Sequence, residues 1–252
     1  MTNIAVCGAN GKMGKVICDV VSSKDKCKIV AGIDKITDEY SDFPIVYKVS
    51  DLKVKPDVII DFSHPSVLDD LLDYCQTNGT PLVIATTGYT DDQIAKIKKA
   101  SSQIPVFFTF NMSLGINLLA QLAKKATQIL GEQFDIEIVE KHHNQKIDAP
   151  SGTALMLSDA INEELGNNYS LTYDRHSVRK KRSKTEIGMH AIRGGTIVGE
   201  HEIIFAGRDE VISLKHEAHS KEVFAVGAVN AAIFISDKPA GLYDMSKMIT
   251  NG

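Results

Sequence analysis

The stretch Asn3-Ile-Ala-Val-Cys7-Gly8-Ala9-Asn10-Gly11-Lys12-Met13-Gly14 decides the fold of the first half of the chain. A short apolar run leads straight into three glycines spaced G-x-x-G-x-x-G, and a helical pattern follows over Gly11–Ser22. The first glycine permits a tight turn out of a strand. The second lets backbone approach a pyrophosphate, and the third lets the helix pack closely on the sheet. The helix start then offers free N–H groups and a positive dipole end to phosphates. The spacing departs from the commoner G-x-G-x-x-G, so its context carries the argument. Asp34 lies twenty positions beyond Gly14, at the end of the next strand, where an acceptor for a ribose hydroxyl belongs. A plain structural βα turn is the alternative reading.

Outward from this turn, short β-branched runs alternate with helical patterns, as in βαβ units on a parallel sheet. Strands are expected at Asn3–Cys7, Lys28–Ile33, Asp57–Phe62, Pro81–Ala85 and Pro105–Thr109, with helices at Gly11–Ser22, Pro65–Asn78 and Thr90–Ser102. Asp34–Lys55 has no strong period and reads as a loop with room for one short strand. In open α/β sheets ligands sit beyond the carboxyl ends of strands. Candidate cofactor contacts are therefore Gly8, Ala9, Asn10, Gly11, Lys12, Met13, Gly14, Asp34 and Lys35, then Ala85, Thr86 and Thr87, and Thr109, Phe110, Asn111 and Met112. A carboxylate at Asp34 favours NADH because it repels a 2′-phosphate, while Lys35 and Lys12 could accommodate that phosphate. The pair predicts tolerance of NADH and NADPH alike, unless both lysines merely face solvent.

After residue 111 the pattern changes. A long helix is expected over Leu114–Leu130, ended by Gly131, then a strand Phe134–Glu140, a polar loop, and a helix Thr153–Leu165. Three further strands, Glu186–Arg193, Thr196–Ala206 and Glu210–Ala218, are joined by Gly194-Gly195 and Gly207-Arg208-Asp209, which reads as antiparallel hairpins. The expected architecture is α/β: a Rossmann-type parallel-sheet domain over 1–111, then an α+β domain with a mixed or antiparallel sheet over 112–220.

The densest chemistry is Glu140-Lys-His142-His143-Asn-Gln-Lys146-Ile-Asp148-Ala-Pro-Ser151-Gly152-Thr153. Ser151 is a good N-cap, and the free N–H groups after it suit a carboxylate. Histidine exchanges protons near neutral pH, and a lysine supplies a proton or an anion contact. Asp148 suits a neighbouring cation. An exposed, inert His-His pair and a metal site are the other readings. The metal is disfavoured by the lack of H-E-x-x-H or a nearby cysteine, and Ser151 lacks the G-x-S-x-G setting of a nucleophile. Proton donation plus anion binding fits best. Arg175–Lys184 carries six Lys/Arg in ten residues, read either as a solvated, mobile loop or as cations that attract an anionic ligand.

Bulk properties narrow the class. A net charge of −4 argues against a general nucleic-acid binder. The four cysteines, all by residue 75 and with no CxxC pair, read as reduced thiols rather than a disulfide framework. The apolar stretch Phe224–Ile235 falls short of the roughly 20 residues a bilayer span needs. With no leader pattern before Asn3, the expectation is a soluble cytoplasmic protein.

With these residues in view, the chain resembles the dihydrodipicolinate reductase family of bacterial lysine biosynthesis. The signature Glu-x-His-His-x-x-Lys-x-Asp-Ala-Pro-Ser-Gly-Thr-Ala runs from Glu140 to Ala154. Thr86-Thr-Gly88, Ile192-Arg-Gly-Gly195, Val198-Gly-Glu-His201 and Gly241-Leu-Tyr-Asp-Met245 extend the likeness along nearly the whole chain. The resemblance implies His142 as general acid/base, Lys146 as proton donor, and His143, Gly152 and Thr153 as the site of a small dicarboxylate. It also implies reduction of 4-hydroxy-tetrahydrodipicolinate by NADH or NADPH without a metal, and a homotetramer built through the second domain. The C-terminal 221–252 segment would return to the first domain. Phe110-Asn-Met-Ser113 departs from the family's Pro-Asn-Phe-Ser or Ala-Asn-Phe-Ser, and His219-Ser-Lys221 replaces a common Ser-Ser-Arg. Two rivals remain: a short-chain reductase, through Tyr243-Asp-Met-Ser-Lys247 near the C-terminus, and a non-catalytic NAD(H) sensor, which would have no use for His142, His143 and Lys146 together.

Overall fold

The structure is a computed structural model, and it describes residues 1–38 and 40–250. Glu39, inside the Asp34–Lys55 stretch, and Asn251 and Gly252, inside the 221–252 segment, lie outside the described residues. The chain opens with β1 (Thr2–Cys7), α1 (Lys12–Ser22), β2 (Cys27–Ile33), β3 (Ile45–Val46), β4 (Val58–Asp61), α2 (Leu68–Asn78), β5 (Leu82–Ile84), α3 (Asp91–Ala100) and β6 (Pro105–Phe108). It continues with α4 (Leu114–Leu130), β7 (Asp135–His142), α5 (Gly152–Glu164), β8 (Ser170–Thr172), β9 (Glu186–Arg193), β10 (Gly199–Ala206) and β11 (Val211–Ala218). Last come α6 (Glu222–Ile235), β12 (Gly241–Tyr243) and α7 (Met245–Thr250). Two compact units result: residues 1–114 with the chain from Glu222 onward, and Gly115–Lys221.

In the first unit, seven parallel strands run in the order β12-β6-β5-β4-β1-β2-β3. Central strands such as Val58–Asp61 are buried on both faces, which is why they read as unbroken apolar runs rather than alternations. One face packs α1 and α6 around Ile17, Val21, Ala228 and Ile235, and the other packs α2 and α3 around Leu68, Leu71 and Ile97. Local signals set the helix ends. Thr90 and Gln93 form a capping box at α3, and Gly79 closes α2 at φ 61. Helix α6 is apolar nearly all round because it is buried. A Cβ at Gly227 would collide with the Met112 carbonyl oxygen, so glycine is what lets the helix come so close.

In the second unit, β11-β10-β7-β9-β8 form a mixed sheet, with β11, β10 and β7 antiparallel and β7, β9 and β8 parallel. Helices α4 and α5 cover one face, where Ile136, Ile138, Leu157, Ile187, Ile203 and Phe205 form the core. The expected hairpin at Gly194-Gly195 does not exist, because β9 and β10 are separated by β7, which pairs with both. The connection must cross about 10 Å, two strand spacings, which the five residues 194–198 span easily. The hairpin at Gly207 does form, between β10 and β11. Strands β8 and β12 carry too few residues to show a period and were not expected.

Candidate functional site

Strand β7 extends two residues further than its sequence pattern indicates, so His142 is a strand residue and not a loop residue. Ile136, Ile138, Glu140 and His142 alternate onto the buried face. In register, His142 stands beside Arg193 of β9, Glu140 stands beside His201 of β10, and His201 stands beside His216 of β11. Polar groups thus close one end of an otherwise apolar core.

Glu140 is the centre of this group, with its side chain fully buried. Arg193 grips it with a two-pronged fork, Nη2 to Oε1 at 2.7 Å and Nη1 to Oε2 at 2.8 Å. His142 Nδ1 lies 2.5 Å from Oε2, and the Ser151 N–H donates to Oε1 at 3.0 Å. Burial alone would raise the Glu140 carboxyl, but Arg193, His142 and the Ser151 amide outweigh it and hold it below the usual carboxylate range. Burial pulls His142 below its ordinary value, with Lys146 and Arg193 adding to that and Glu140 opposing it, so the ring is neutral at neutral pH. His201, edge-on to His142 at 5.2 Å, is pushed down to about 4, chiefly by burial.

Beyond His142 the chain turns tightly. The His143 carbonyl accepts the Lys146 N–H at 3.1 Å, and Asn144 N–H donates to the Gly195 carbonyl at 3.2 Å. Lys146 Nζ donates to Asp148 at 2.7 Å and holds that carboxyl below its ordinary range. Arg193 Nη2 also donates to the Asp148 carbonyl at 2.7 Å, fastening the loop to the sheet. Ser151 caps α5 by accepting from Ala154 N–H at 3.1 Å, and its hydroxyl lies 3.1 Å from His201 Nε2. Gly152, exposed, and Thr153, half-buried, form the first turn. The second unit therefore brings His142, His143, Lys146, Gly152 and Thr153 onto one short segment around a helix N-terminus. That arrangement can exchange protons and hold an anion.

In the first unit, a cleft of about 370 Å³ lies at the carboxyl ends of β1, β2 and β4, lined by residues including Gly8, Gly11, Asp34, Lys35 and Tyr47. Gly8 has φ +84, and a Cβ there would strike the Phe62 carbonyl. A Cβ on Gly14 would lie inside contact of the Gly8 carbonyl and 2.7 Å from Ala9 Cα, so the helix could not approach the strand. Gly11 is the N-cap of α1 and supplies no side-chain cap, and its own N–H donates to the Gly8 carbonyl at 3.0 Å. Asp34 accepts from Asn10 N–H at 2.9 Å and Ile36 N–H at 3.1 Å, which fixes the carboxylate at the rim. Lys12 and Lys35 are exposed.

The other expected contacts lie at the ends of the same strands or in the turn itself. Ala9 is fully buried, and Met112 is 3% exposed and packed within the core. Thr86 is buried, and its hydroxyl accepts from Ser63 N–H at 2.8 Å. Thr109 Oγ1 donates to the Asn111 carbonyl at 3.3 Å, and Asn111 Oδ1 accepts from Ser113 N–H at 2.8 Å. Ala85 is buried and Thr87 exposed at the same sheet edge, Met13 is half-buried, and Phe110 is 73% exposed.

The basic segment and the C-terminal Tyr-Lys spacing both find partners within the fold. Arg175 pairs with Glu137 at 2.8 Å and with Glu186, while Arg182 reaches Asp135, Glu137 and three backbone carbonyls. These two arginines clamp the sheet's other face, while Arg179, Lys180, Lys181 and Lys184 of the same segment are exposed. Gly188 makes room, because a Cβ there would overlap the Glu137 carboxylate. Tyr243 donates its hydroxyl to the Pro239 carbonyl at 2.9 Å and Lys247 Nζ donates to the Leu242 carbonyl at 2.6 Å, so each polar end is bonded to backbone of its own segment. Among the described residues no helix is long and apolar enough to cross a membrane, and no group of three or more His, Cys, Asp or Glu could hold a metal ion.

Glu140, Arg193 and His201 fall inside stretches the sequence singles out, but no role in the site could be read for them there. A charged residue continuing the inward alternation of Ile136 and Ile138 was the available signal for Glu140. Nothing local marks Arg193, 53 residues away.

Comparison with known proteins agrees across the whole length. Residues 2–112 match Dihydrodipicolinate reductase, N-terminus, and residues 115–249 match Dihydrodipicolinate reductase, C-terminus. A 4-hydroxy-tetrahydrodipicolinate reductase of Clostridium novyi is 49% identical, covering 99% of this chain and 98% of that protein. One from Caldanaerobacter subterraneus is 46% identical, covering 100% of both. Among solved structures, the dipicolinate-bound dihydrodipicolinate reductase of Paenisporosarcina sp. TG-14 has a TM-score of 0.81 at 25% identity and covers 97% of each chain. From the glycine turn to the second unit's helix N-terminus, this chain belongs to the dihydrodipicolinate reductase family.

Proposed function

We propose that the protein reduces 4-hydroxy-tetrahydrodipicolinate to tetrahydrodipicolinate with NADH or NADPH, on the diaminopimelate route to lysine. The observation that carries this reading is the convergence, on one segment of the second unit, of a buried histidine, a lysine side chain and the N-terminus of a thirteen-residue helix. The net change adds a hydride and a proton to the substrate and expels its hydroxyl as water. The nicotinamide supplies the hydride when bound. Gly8, Asn10, Gly11, Lys12 and Gly14 would hold its pyrophosphate and Asp34 its ribose, and the cradle closed by Gly8 and Gly14 fits that group.

The chain's own residues handle protons and charge. The amides of Gly152 and Thr153, with His143, bind one carboxylate through the helix dipole. Lys146 offers its ammonium as proton donor, and His142 Nε2 exchanges protons as general acid/base. Dipicolinate, bound by the Paenisporosarcina protein, carries the same two carboxylates on a ring as the proposed substrate. The placement of Asp34 beside exposed Lys35 and Lys12 supports use of both cofactors. Assembly as a homotetramer through the second unit and a cytoplasmic location complete the proposal.

The test is oxidation of NADH and NADPH by purified protein supplied with the product of dihydrodipicolinate synthase. Turnover is expected with each, with kcat/KM values within roughly tenfold, about 1.4 kcal/mol. No turnover with either refutes the reading and favours a cofactor sensor. Lys146→Ala should lower kcat by about 10²–10⁴-fold while cofactor binding holds. Equal loss of both refutes the proton-donor role.

A further inference from the structure

Glu140 touches both halves of the proposed chemistry without being able to touch a substrate. Its fully buried carboxylate has four polar neighbours, two N–H groups of Arg193, Nδ1 of His142 and the Ser151 amide that opens α5. Packing alone does not account for it. The inward residues of β7 that precede it are Ile136 and Ile138, and one more aliphatic residue would continue the core. A buried ion pair contributes little net stability relative to an apolar replacement of similar volume. The arrangement therefore calls for a reason in the chemistry.

That reason lies on the other side of the imidazole. With Nδ1 held by an ionised acceptor, the ring carries its proton there and presents the Nε2 lone pair. Among the described residues the ring's hydrogen bond is the one at Nδ1. The strand beside it is smooth, because Gly199 offers no side chain and a Cβ there would come within 3.2 Å of Nε2. Ser151 draws the same carboxylate to the helix N-terminus, so the ring and the anion-holding amides share one anchor.

We infer that Glu140 is a positioning residue for this reaction, fixing His142 as the Nδ1–H tautomer and tying the ring to the N-terminus of α5, with Arg193 keeping the buried carboxylate ionised. The inference deepens the proposed function and rests on it. Besides Glu140, the charged and titratable groups that face His142 are Lys146 from the loop, Arg193 from β9 and His201 from β10. Lys146 and Arg193 already disfavour the imidazolium, so Glu140 is the group that supports its charged form.

The test is a long-range ¹H–¹⁵N spectrum of the full-length labelled protein, with the His142 ring assigned through His142→Gln. The unaltered protein should show Nδ1 protonated and Nε2 as a bare acceptor. Glu140→Gln should give mixed tautomers and a kcat lower by about 10²–10⁴-fold, as when a triad carboxylate is made an amide. The KM for cofactor should hold, and the kcat limb that reports His142 should move to lower pH, because the negative charge beside the ring is gone. An Nε2–H tautomer in active, unaltered protein overturns the positioning role alone, even if the variant does not fold. So does a Glu140→Gln enzyme with kcat within threefold of the original and an unmoved limb. No turnover by the unaltered protein removes the functional reading and the positioning role with it.

Discussion

Replacing Arg193 by Met should destabilise the second unit in a way that depends on pH. Arg193 is 19% exposed along its side chain and Glu140 not at all, so the change strands a carboxylate that has no route to water. Breaking a buried pair from one side costs about 3–5 kcal/mol. Two donors, His142 and the Ser151 amide, remain on the carboxylate and place the expectation near the low end. For a unit of this size, about 3 kcal/mol lowers the melting temperature by roughly 12–24 °C at neutral pH. The sign with pH follows from Glu140. In the unaltered protein its folded value is depressed, so its contribution is present above the unfolded carboxylate value, near 4.3, and is lost as pH falls through the folded value. Without Arg193 that value rises and His142 protonates more readily, so acid neutralises the stranded charge. The deficit should therefore be largest at pH 7–8 and shrink towards pH 5. Calorimetry of both proteins across that range measures it. A melting shift under about 3 °C, or a deficit that stays constant with pH, would refute the reasoning.

Gly14→Ala should lower both stability and NADH affinity, because the new Cβ meets backbone at Gly8 and Ala9, whereas Gly11→Ala meets only the Gly8 carbonyl at 3.1 Å and should be milder. Overpacking of this kind costs about 1–3 kcal/mol. Fluorescence titration with NADH separates the two, and equal effects would contradict the packing argument. Tyr243→Phe should leave kcat unchanged and cost about 1 kcal/mol of stability for the lost bond to Pro239. A large fall in kcat would revive the short-chain reading.

The local parts of this protein were legible in its sequence. Glycine spacing, a capping box and an unbroken apolar strand each depend on a few adjacent residues, so the β1–α1 turn, the αβ alternation and the Ser151 cap are written where they occur. The His142–Thr153 segment was legible for the same reason, since its proton-handling and anion-holding groups lie within twelve residues. Pairing across distance was not legible. Glycines between two strands favour a hairpin locally, yet β7 takes the position between β9 and β10 because hydrogen bonds on both its edges and its apolar face are satisfied only there. The same insertion puts Arg193 beside His142 and His201 beside Glu140. The sequence by itself determined which groups this site contains. Only the tertiary structure decided that a buried carboxylate joins them, because its charge is tolerable solely where an arginine 53 residues away is brought alongside.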